Sequence, residues 1–174
     1  MSDRTIMAQP LTKEAFAPFG DVIELPGENA FPINRGKCIR HHALSTVDVV
    51  GEGAQVGLSI FEGQPYALPH ILDLVERHPL GSQSFQPLMG AGDDQPWLVI
   101  VCPDEEGKPG HPQAFLATAQ QGINIRRNTW HGVLTPLYAP AHFLVVDRVG
   151  EGENLEEIAL DPPYSVVVPE PVSP

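Results

Sequence analysis

The stretch PHILDLVERHP at residues 69–79 decides the interpretation of the fold, because its residues fit two periods. The apolar positions 71, 72, 74 and 75 have helical spacing, whereas positions 72, 74, 76 and 78 alternate as on a strand. We interpret the second half as a strand, because Pro79 disfavours a helix that runs through His78. On a strand Glu76 and His78 point to one face. On a helix they would lie about 200° apart and could not share one ligand.

The residues that follow extend this pattern into a possible site. In ERHPLGSQ at 76–83, Gly81 would allow a tight turn, and Gln83 would return on the neighbouring strand and face the same interior. A second block, GINIRRNTWH at 122–131, brings His131 beside Trp130 and two arginines. The two blocks therefore predict a polar cluster inside a β-structure.

Together these blocks resemble the two short motifs of the cupin barrel. In the first cupin motif His-x-His is followed, after four residues, by Glu, and the second motif contributes one more His. Here Glu76 replaces the first His, His78 is the second, Gln83 replaces the Glu, and His131 is the later His. The spacing is kept, while two of the four ligand types differ.

The rest of the chain also favours short strands. Nineteen prolines and sixteen glycines are spread over the 174 residues and favour many strands joined by turns over a helical bundle. One short helix is predicted over residues 13–19, capped by Thr12 and ended by Gly20. The predicted strands are 21–24, 55–62, 72–78, 84–88, 97–102, 113–119, 123–127 and 142–147.

The remaining segments are assigned more coarsely. Residues 104–110 and 150–154 are predicted to be exposed turns, and the type of segment 155–160 stays open. We find no internal repeat and no interdomain linker. The sequence therefore predicts a mainly β fold with a short N-terminal helix, one domain over residues 1–168, and a Pro-rich tail over residues 169–174.

Composition and charge exclude several classes of function. Twenty-two acidic residues against ten basic ones give a net charge of −12. This excess argues against nucleic acid and anionic membranes as partners, because both attract Lys and Arg. A small anionic substrate is not excluded, because a local site can be positive on an acidic protein.

The longest apolar run, at 98–102, is too short to cross a bilayer, and no secretory signal is visible. Cys38 and Cys102 form no disulfide framework and no metal motif. These features fit a reducing compartment, most simply the cytoplasm.

A longer resemblance runs in order through most of the chain. The sequence is similar to the ureidoglycolate lyase family in PLTKEAFAPFGDVIE at 10–24, FPINRG at 31–36, IRHHAL at 39–44, LVERHPLGSQSFQPL at 74–88, QGINIRRNTWHGVLTPL at 121–137 and HFLVVDR at 142–148. The resemblance implies a cupin-like antiparallel β-barrel, usually a homodimer. It also implies cleavage of ureidoglycolate to glyoxylate and urea in ureide or purine-nitrogen breakdown, with a divalent metal that is often nickel.

The residue types suit this chemistry. Cleavage needs the substrate hydroxyl deprotonated, its C–N bond broken and the urea nitrogen protonated, which a positioned base and acid can accomplish. A divalent metal could chelate the substrate carboxylate and hydroxyl together and lower the pKa of the hydroxyl. We therefore predict Glu76, His78 and His131 as catalytic residues and, together with Gln83, as metal ligands.

An arginine is expected to clamp the substrate carboxylate through two hydrogen bonds. Arg77 ranks behind the other candidates, because on a strand it faces away from Glu76 and His78. Arg127 is favoured over Arg126, because it would share the face of positions 125 and 129. The resemblance alone adds His42. The predicted substrate-binding residues are Arg40, His42, Arg77, Gln83, Arg127, Asn128 and Trp130.

Two other functions stay open. The chain could be a different cupin enzyme, such as an isomerase, an epimerase or a dioxygenase, although a dioxygenase generally uses more His ligands. It could also be a non-catalytic cupin-like module that binds a small carboxylate, which the altered ligand types allow. The sequence does not assign the acid and the base, and it does not separate a lyase from an amidohydrolase.

Overall fold

A computed structural model describes residues 4–88 and 95–169. These residues form seventeen strands, one 3-10 turn (Asn34–Gly36) and the helix α1 (Lys13–Phe16). In chain order the strands are β1 Thr5–Met7, β2 Gln9–Pro10, β3 Gly20–Ile23, β4 Ala30–Ile33, β5 Cys38–His41, β6 Gln55–Gly63, β7 His70–Arg77, β8 Gln83–Pro87, β9 Trp97–Cys102, β10 Asp104–Glu105, β11 Lys108–Pro109, β12 Gln113–Ala117, β13 Gly122–Ile125, β14 Trp130–His131, β15 Thr135–Pro136, β16 Ala141–Val149 and β17 Glu156–Val167.

The strands form two main sheets. The larger has the order β1-β17-β7-β14-β9-β12-β2, with β15 also paired to β9, and the smaller has the order β3-β13-β8-β16-β6. The N-terminal segment joins both edges of the larger sheet, because β1 pairs with β17 and β2 pairs with β12, both in parallel. The other strand pairs are antiparallel. The result is a nearly closed, cupin-like β-barrel, which confirms the predicted fold class.

The strand β9 belongs to two apolar cores. Trp97–Cys102 is buried along its whole length. Val99 and Val101 pack in the core that includes side chains of the smaller sheet, whereas Leu98 and Ile100 pack in a second core formed within the larger sheet. Burial on both faces explains why this strand is a continuous apolar run, and each such side chain contributes about 1.5–3 kcal/mol.

The helix α1 is shorter than predicted. Thr12 caps it as expected, since its hydroxyl accepts a hydrogen bond from the backbone N–H of Ala15 at 3.2 Å. The helix ends at Phe16 and not at residue 19, because Pro18 has no N–H to continue the ladder. A backbone hydrogen bond from Phe19 to Phe16 closes the turn that follows.

The eight predicted strands are confirmed, with ends shifted by two residues or fewer. The open segment 155–160 lies in the long strand β17, whose register against β7 shifts between Ala159 and Tyr164. Two consecutive prolines in that interval break the alternation that would have indicated a strand. Residues 104–110, predicted as a turn, form the small hairpin of β10 and β11. Sequence analysis also missed the hairpin of β4 and β5.

The predicted tail lies outside the described residues from position 170 onward, and the single-domain boundary at 168 stays a prediction. None of the helices in the described ranges has the length and apolar character needed to span a bilayer.

The connection after β7 carries the chain from the larger sheet to the smaller one. Gln83 begins β8, which pairs with β13 and β16 and not with β7. The prediction that Gln83 returns on the neighbouring strand is therefore wrong. Gly81 serves close packing, because a Cβ there would lie 2.6 Å from the Cβ of Arg148. This crossing brings β7 and β8 to opposite walls of the same interior.

Candidate active site

Three predicted residues converge at the end of β7. Glu76 lies directly opposite His131 on β14, and His78 follows the last residue of β7. One ligand atom from each residue lies within 4.8 Å of the others. The Nε2 atom of His78 lies 3.8 Å from Oε1 of Glu76, and the two imidazole centroids are 5.3 Å apart. The structure thus places Glu76 and His78 on one side of the strand, as the sequence predicted.

Backbone carbonyls fix the orientation of both imidazoles. The Nδ1 atom of His78 lies 2.7 Å from the carbonyl oxygen of Asn154, and Nδ1 of His131 lies 3.0 Å from that of Gly132. A carbonyl only accepts hydrogen bonds, so each Nδ1 carries the proton. In a neutral ring the lone pair is then on Nε2. Within the described parts of the chain, both Nε2 atoms are buried without a hydrogen-bond partner.

Burial sets the protonation of this cluster. It lowers the pKa of His131 to about 4; the hydrogen bond to Gly132 offsets part of this decrease, and His78 adds a smaller decrease. The ring of His131 is therefore neutral near pH 7. Burial raises the pKa of Glu76, while His78 opposes this shift and Glu157 adds to it. The fold thus favours a neutral imidazole beside a carboxyl group that retains its proton more readily than usual.

This donor set fits a divalent cation. Two imidazole Nε2 atoms and a carboxylate are ligands that suit nickel, zinc or iron. Hydrogen bonds from Nδ1 to backbone carbonyls are the usual second-layer support of metal-binding histidines. Buried polar atoms without partners are rare in folded proteins, and these two Nε2 atoms have none among the described residues, so both are available to bind a cation.

A cavity of about 770 Å³ lies beside the cluster. Glu76 on β7 and Gln83 on β8 both line it, so it lies between the two sheets. Side chains that include Phe61, Phe85 and Leu134 form the apolar part of the wall. No lysine or arginine lines this cavity in the described residues. The space accommodates a small molecule that touches Glu76.

Gln83 presents an oxygen atom in this interior. Its Nε2 atom lies 3.4 Å from Oδ2 of Asp147 and donates to it, because a carboxylate only accepts. The Oε1 atom of Gln83 is buried and has no partner among the described residues. Gln83 is therefore available as an acceptor or as a weak ligand.

Arg77 and Trp130 occupy the other face of the same two strands. Arg77 forms ion pairs with Asp104 at 3.1 Å and with Glu156 at 2.6 Å, and its guanidinium lies 4.3 Å from the Trp130 ring centroid. The indole N–H of Trp130 also donates to Asp104. The structure does not bring these two predicted substrate-binding residues to the cluster.

Arg127 and Asn128 lie in a turn. The predicted strand through residue 127 is wrong at its end, because β13 stops at Ile125 and Asn128 adopts a φ of 68°. The argument that Arg127 shares a face with Ile125 and Thr129 therefore does not hold. Arg127 is ion-paired with Asp48 at 3.0 Å. The backbone N–H of Asn128 donates to the carbonyl of His78, so this turn contacts the backbone of a site residue.

Arg40 and His42 lie in another region. Arg40 is exposed on β5, opposite Phe31 of β4. His42 lines a second cavity of about 350 Å³, together with residues that include Asp21 and Arg126. Neither Arg40 nor His42 is among the residues that line the cavity at Glu76.

Comparison with known proteins gives the family of the chain. A family model described as ureidoglycolate lyase matches residues 3–167. The chain belongs to the ureidoglycolate lyase family. A ureidoglycolate lyase of Chelativorans sp. (strain BNC1) is 58% identical over 96% of this chain and 99% of its own length. Relatives of the same name from Agrobacterium fabrum and Mesorhizobium japonicum are 54% and 52% identical, over 92% and 94% of this chain and 95% and 98% of theirs.

Sequence analysis missed two residues that orient this family member's candidate site. Asn154 holds His78, and Asp147 holds Gln83. Asn154 is 76 residues from His78, and Asp147 is 64 residues from Gln83. No local pattern signals such pairs, because only the folded barrel brings the segments together.

Proposed function

We propose that this protein is a ureidoglycolate lyase, a carbon–nitrogen lyase of the amidine-lyase type that forms glyoxylate and urea. The observation that carries the proposal is the convergence of Glu76, His78 and His131, with two unpartnered Nε2 atoms, beside a cavity. The names of its relatives, which match over nearly its whole length, supply the substrate class.

The chemistry consists of two proton movements and one bond cleavage. The hydroxyl of ureidoglycolate loses its proton, its oxygen becomes the carbonyl oxygen of glyoxylate, and the C–N bond breaks. The departing nitrogen takes up a proton to give urea, so that protons balance without a further reactant. Glu76 suits this work at Oε1 or Oε2, because its raised pKa favours both accepting and returning a proton.

We propose that the same residues hold a divalent cation, nickel being the one that the resemblance indicates. His78 and His131 would contribute their Nε2 atoms and Glu76 its carboxylate, with Gln83 as a weaker oxygen ligand. When bound, such a cation lowers the pKa of the substrate hydroxyl and orients the hydroxyl and the carboxylate together. Carbonyls of Asn154 and Gly132 keep the two imidazoles oriented.

We also propose that the protein is a homodimer that pairs through β6. This strand is the edge of the smaller sheet, and its Val56, Leu58 and Ile60 are exposed by 52%, 73% and 58%. Edge strands of monomers are usually guarded by charge or proline, and two-fold pairing would cover the same apolar surface on both copies. Sedimentation should show a dimer for the wild type and a monomer for Leu58→Lys, and a monomeric wild type would contradict this part.

The function is tested by incubating the purified protein with racemic ureidoglycolate. Chelator-treated protein is assayed with and without added nickel or manganese, and glyoxylate, urea and ammonia are measured against the spontaneous rate. Glyoxylate with equimolar urea supports the lyase, whereas ammonia in place of urea indicates an amidohydrolase. No acceleration under any condition contradicts both. The resemblance also implies a place in the nitrogen breakdown of ureides or purines, and that context is proposed with the function. A cytoplasmic location, which the cysteine content suggested, is proposed with it.

One observation favours a second candidate. The number of His ligands argued against a dioxygenase in the sequence analysis, but two histidines and one carboxylate are the ligand set of one class of iron(II) oxygenases, and this chain brings such a set together. Oxygen consumption by the iron-loaded protein in the presence of a small hydroxy acid would favour this alternative. The relatives favour the lyase.

A further inference from the structure

Asn154 connects two points of the segment that carries His78. Its backbone carbonyl lies 2.7 Å from Nδ1 of His78, and its side-chain oxygen accepts a hydrogen bond of 2.8 Å from the backbone N–H of Leu80. The segment 78–82 has left β7 at that point and has not yet entered β8. Strand pairing within the two sheets therefore does not fix it. Backbone hydrogen bonds from Asn128 to His78 and from Ser82 to Asp48 hold it in part, and Asn154 supplies two further contacts, one of them to the imidazole itself.

The two imidazoles of the cluster differ in how their orientation is set. His131 uses the carbonyl of Gly132, its own neighbour in the chain, so its contact is local. His78 uses a carbonyl 76 residues away. Its Nε2 atom faces Glu76 only if the loop 150–155 stays in place beside residues 78–80.

Arg148 braces this loop. The residue is 8% exposed, and its guanidinium donates to the carbonyls of Val50 at 2.9 Å, Gly150 at 3.1 Å and Glu151 at 2.6 Å. Val50 in turn donates its N–H to the carbonyl of Leu80. The segment after His78 is thus held between two loops that share one buried arginine, and Asn154 is the contact nearest to the imidazole.

We infer that Asn154 is a positioning residue for His78. Its side-chain oxygen holds the backbone at Leu80, its carbonyl keeps the proton of His78 on Nδ1, and together they direct the Nε2 lone pair toward Glu76 and His131. The inference rests on the proposed function only in taking this cluster as the site. The geometry of the bonds stands without a substrate or a metal.

The test uses two substitutions of Asn154 in the full-length protein. Asn154→Leu keeps the approximate size and removes the oxygen that Leu80 uses, whereas Asn154→Asp keeps that oxygen. Thr12→Val is the matched control, because it removes the side-chain oxygen that accepts the N–H of Ala15 at α1, a bond of the same type. Each protein is studied by imidazole nitrogen NMR without metal, by nickel titration and by thermal unfolding.

The expected results separate positioning from mere stability. Wild type and Asn154→Asp should show His78 protonated on Nδ1, and Asn154→Leu should show a mixture that includes the Nε2-protonated form. The nickel affinity of Asn154→Leu should fall about 10- to 100-fold, the usual effect of losing support behind a ligand. Thr12→Val should leave both readouts as in the wild type.

Two results would overturn the inference. The first is a wild-type His78 that is not protonated on Nδ1. The second is an Asn154→Leu protein that keeps the wild-type tautomer and nickel affinity, even if its unfolding temperature falls. A tautomer change in Asn154→Leu without any nickel binding by the wild type supports positioning and refutes the metal centre. The same change in a protein that does not cleave ureidoglycolate supports positioning and refutes the function.

Discussion

The two faces of the β7–β14 pair differ in whether their polar side chains find partners within the protein. On one face, Arg77 pairs with two carboxylates and stacks on Trp130, whose N–H donates to one of those carboxylates. On the other face, Glu76 and His131 meet His78, and both imidazoles keep a buried Nε2 atom without a partner in the described residues. Neighbouring residues on the same two strands therefore contribute to different properties.

The difference teaches which polar cluster to regard as a site. A satisfied cluster contributes to stability, because its charges and N–H groups find partners inside the protein. An unsatisfied buried donor or acceptor costs about 1–3 kcal/mol. A fold retains such a cost where a ligand or a substrate supplies the missing partner. The following predictions test whether the two faces are separable in this way.

Removal of either imidazole should give the largest effect. His78→Ala and His131→Ala should each lower kcat/KM for ureidoglycolate cleavage about 100- to 10,000-fold, the range expected for loss of a positioned catalytic group. Near-UV circular dichroism verifies that each variant is folded. If both variants keep more than a tenth of the wild-type activity, the unsatisfied face is not the active site.

Glu76→Gln should separate activity from stability on that face. We expect kcat to fall about 100-fold, because the amide cannot transfer a proton as the carboxyl does. Burial raises the pKa of Glu76 above 4.5, so the folded state is penalised at high pH and the penalty disappears below that value. Metal-free Glu76→Gln should therefore unfold at no lower urea concentration than the wild type at about pH 8. A clear loss of stability there would contradict the assignment.

The titration of His131 should make stability depend on pH. Burial lowers its pKa from 6.5 to about 4, so the unfolded chain takes up a proton at a higher pH than the folded protein does. This contribution to stability is full above pH 6.5 and is lost as the pH falls toward 4. Relative to pH 8, metal-free wild type should lose about 2 kcal/mol more at pH 5 than His131→Gln. Equal losses in urea unfolding would show that His131 is not held neutral.

Arg77→Met should give the smallest effect on activity. The free energy of unfolding should fall by about 1–2 kcal/mol, because a cation–π contact and two partly exposed ion pairs are lost while the aliphatic stem keeps its packing. We expect kcat/KM to stay within about threefold of the wild type, because Arg77 faces away from the cluster. A large loss of activity without a loss of stability would show that Arg77 contributes to catalysis, and that the two faces do not have separate roles.

Local patterns predicted eight strands and placed Glu76 and His78 on the same face of one of them. The alternation around Glu76 and His78 was correct because side chains on a strand alternate between faces whatever the strand packs against. Sequence analysis did not predict β14, a strand of two residues, although it placed His131 beside Trp130. The polar face was therefore assigned for β7 alone.

Local sequence patterns did not predict the places where the chain crosses from one sheet to the other or forms a turn. The prediction that Gln83 lies on the strand next to β7 was wrong, because the short segment 78–82 crosses between the sheets and does not form a hairpin. The strand through Arg127 ended early, because Asn128 takes a positive φ that Asn tolerates better than most residues. Turns of this kind depend on where the next strand lies, which local sequence does not record.

The sequence by itself determined the mainly β class, the strand faces and the residue types of the cluster, since these follow from periodicity and side-chain chemistry. The tertiary structure decided which polar groups are satisfied. It paired Arg77 with Asp104 and, among the described residues, left the Nε2 atoms of His78 and His131 without a hydrogen-bond partner. It also supplied Asn154 from a distant loop. Hydrogen bonds of this range form only when the barrel closes, so their partners cannot be identified from one segment alone.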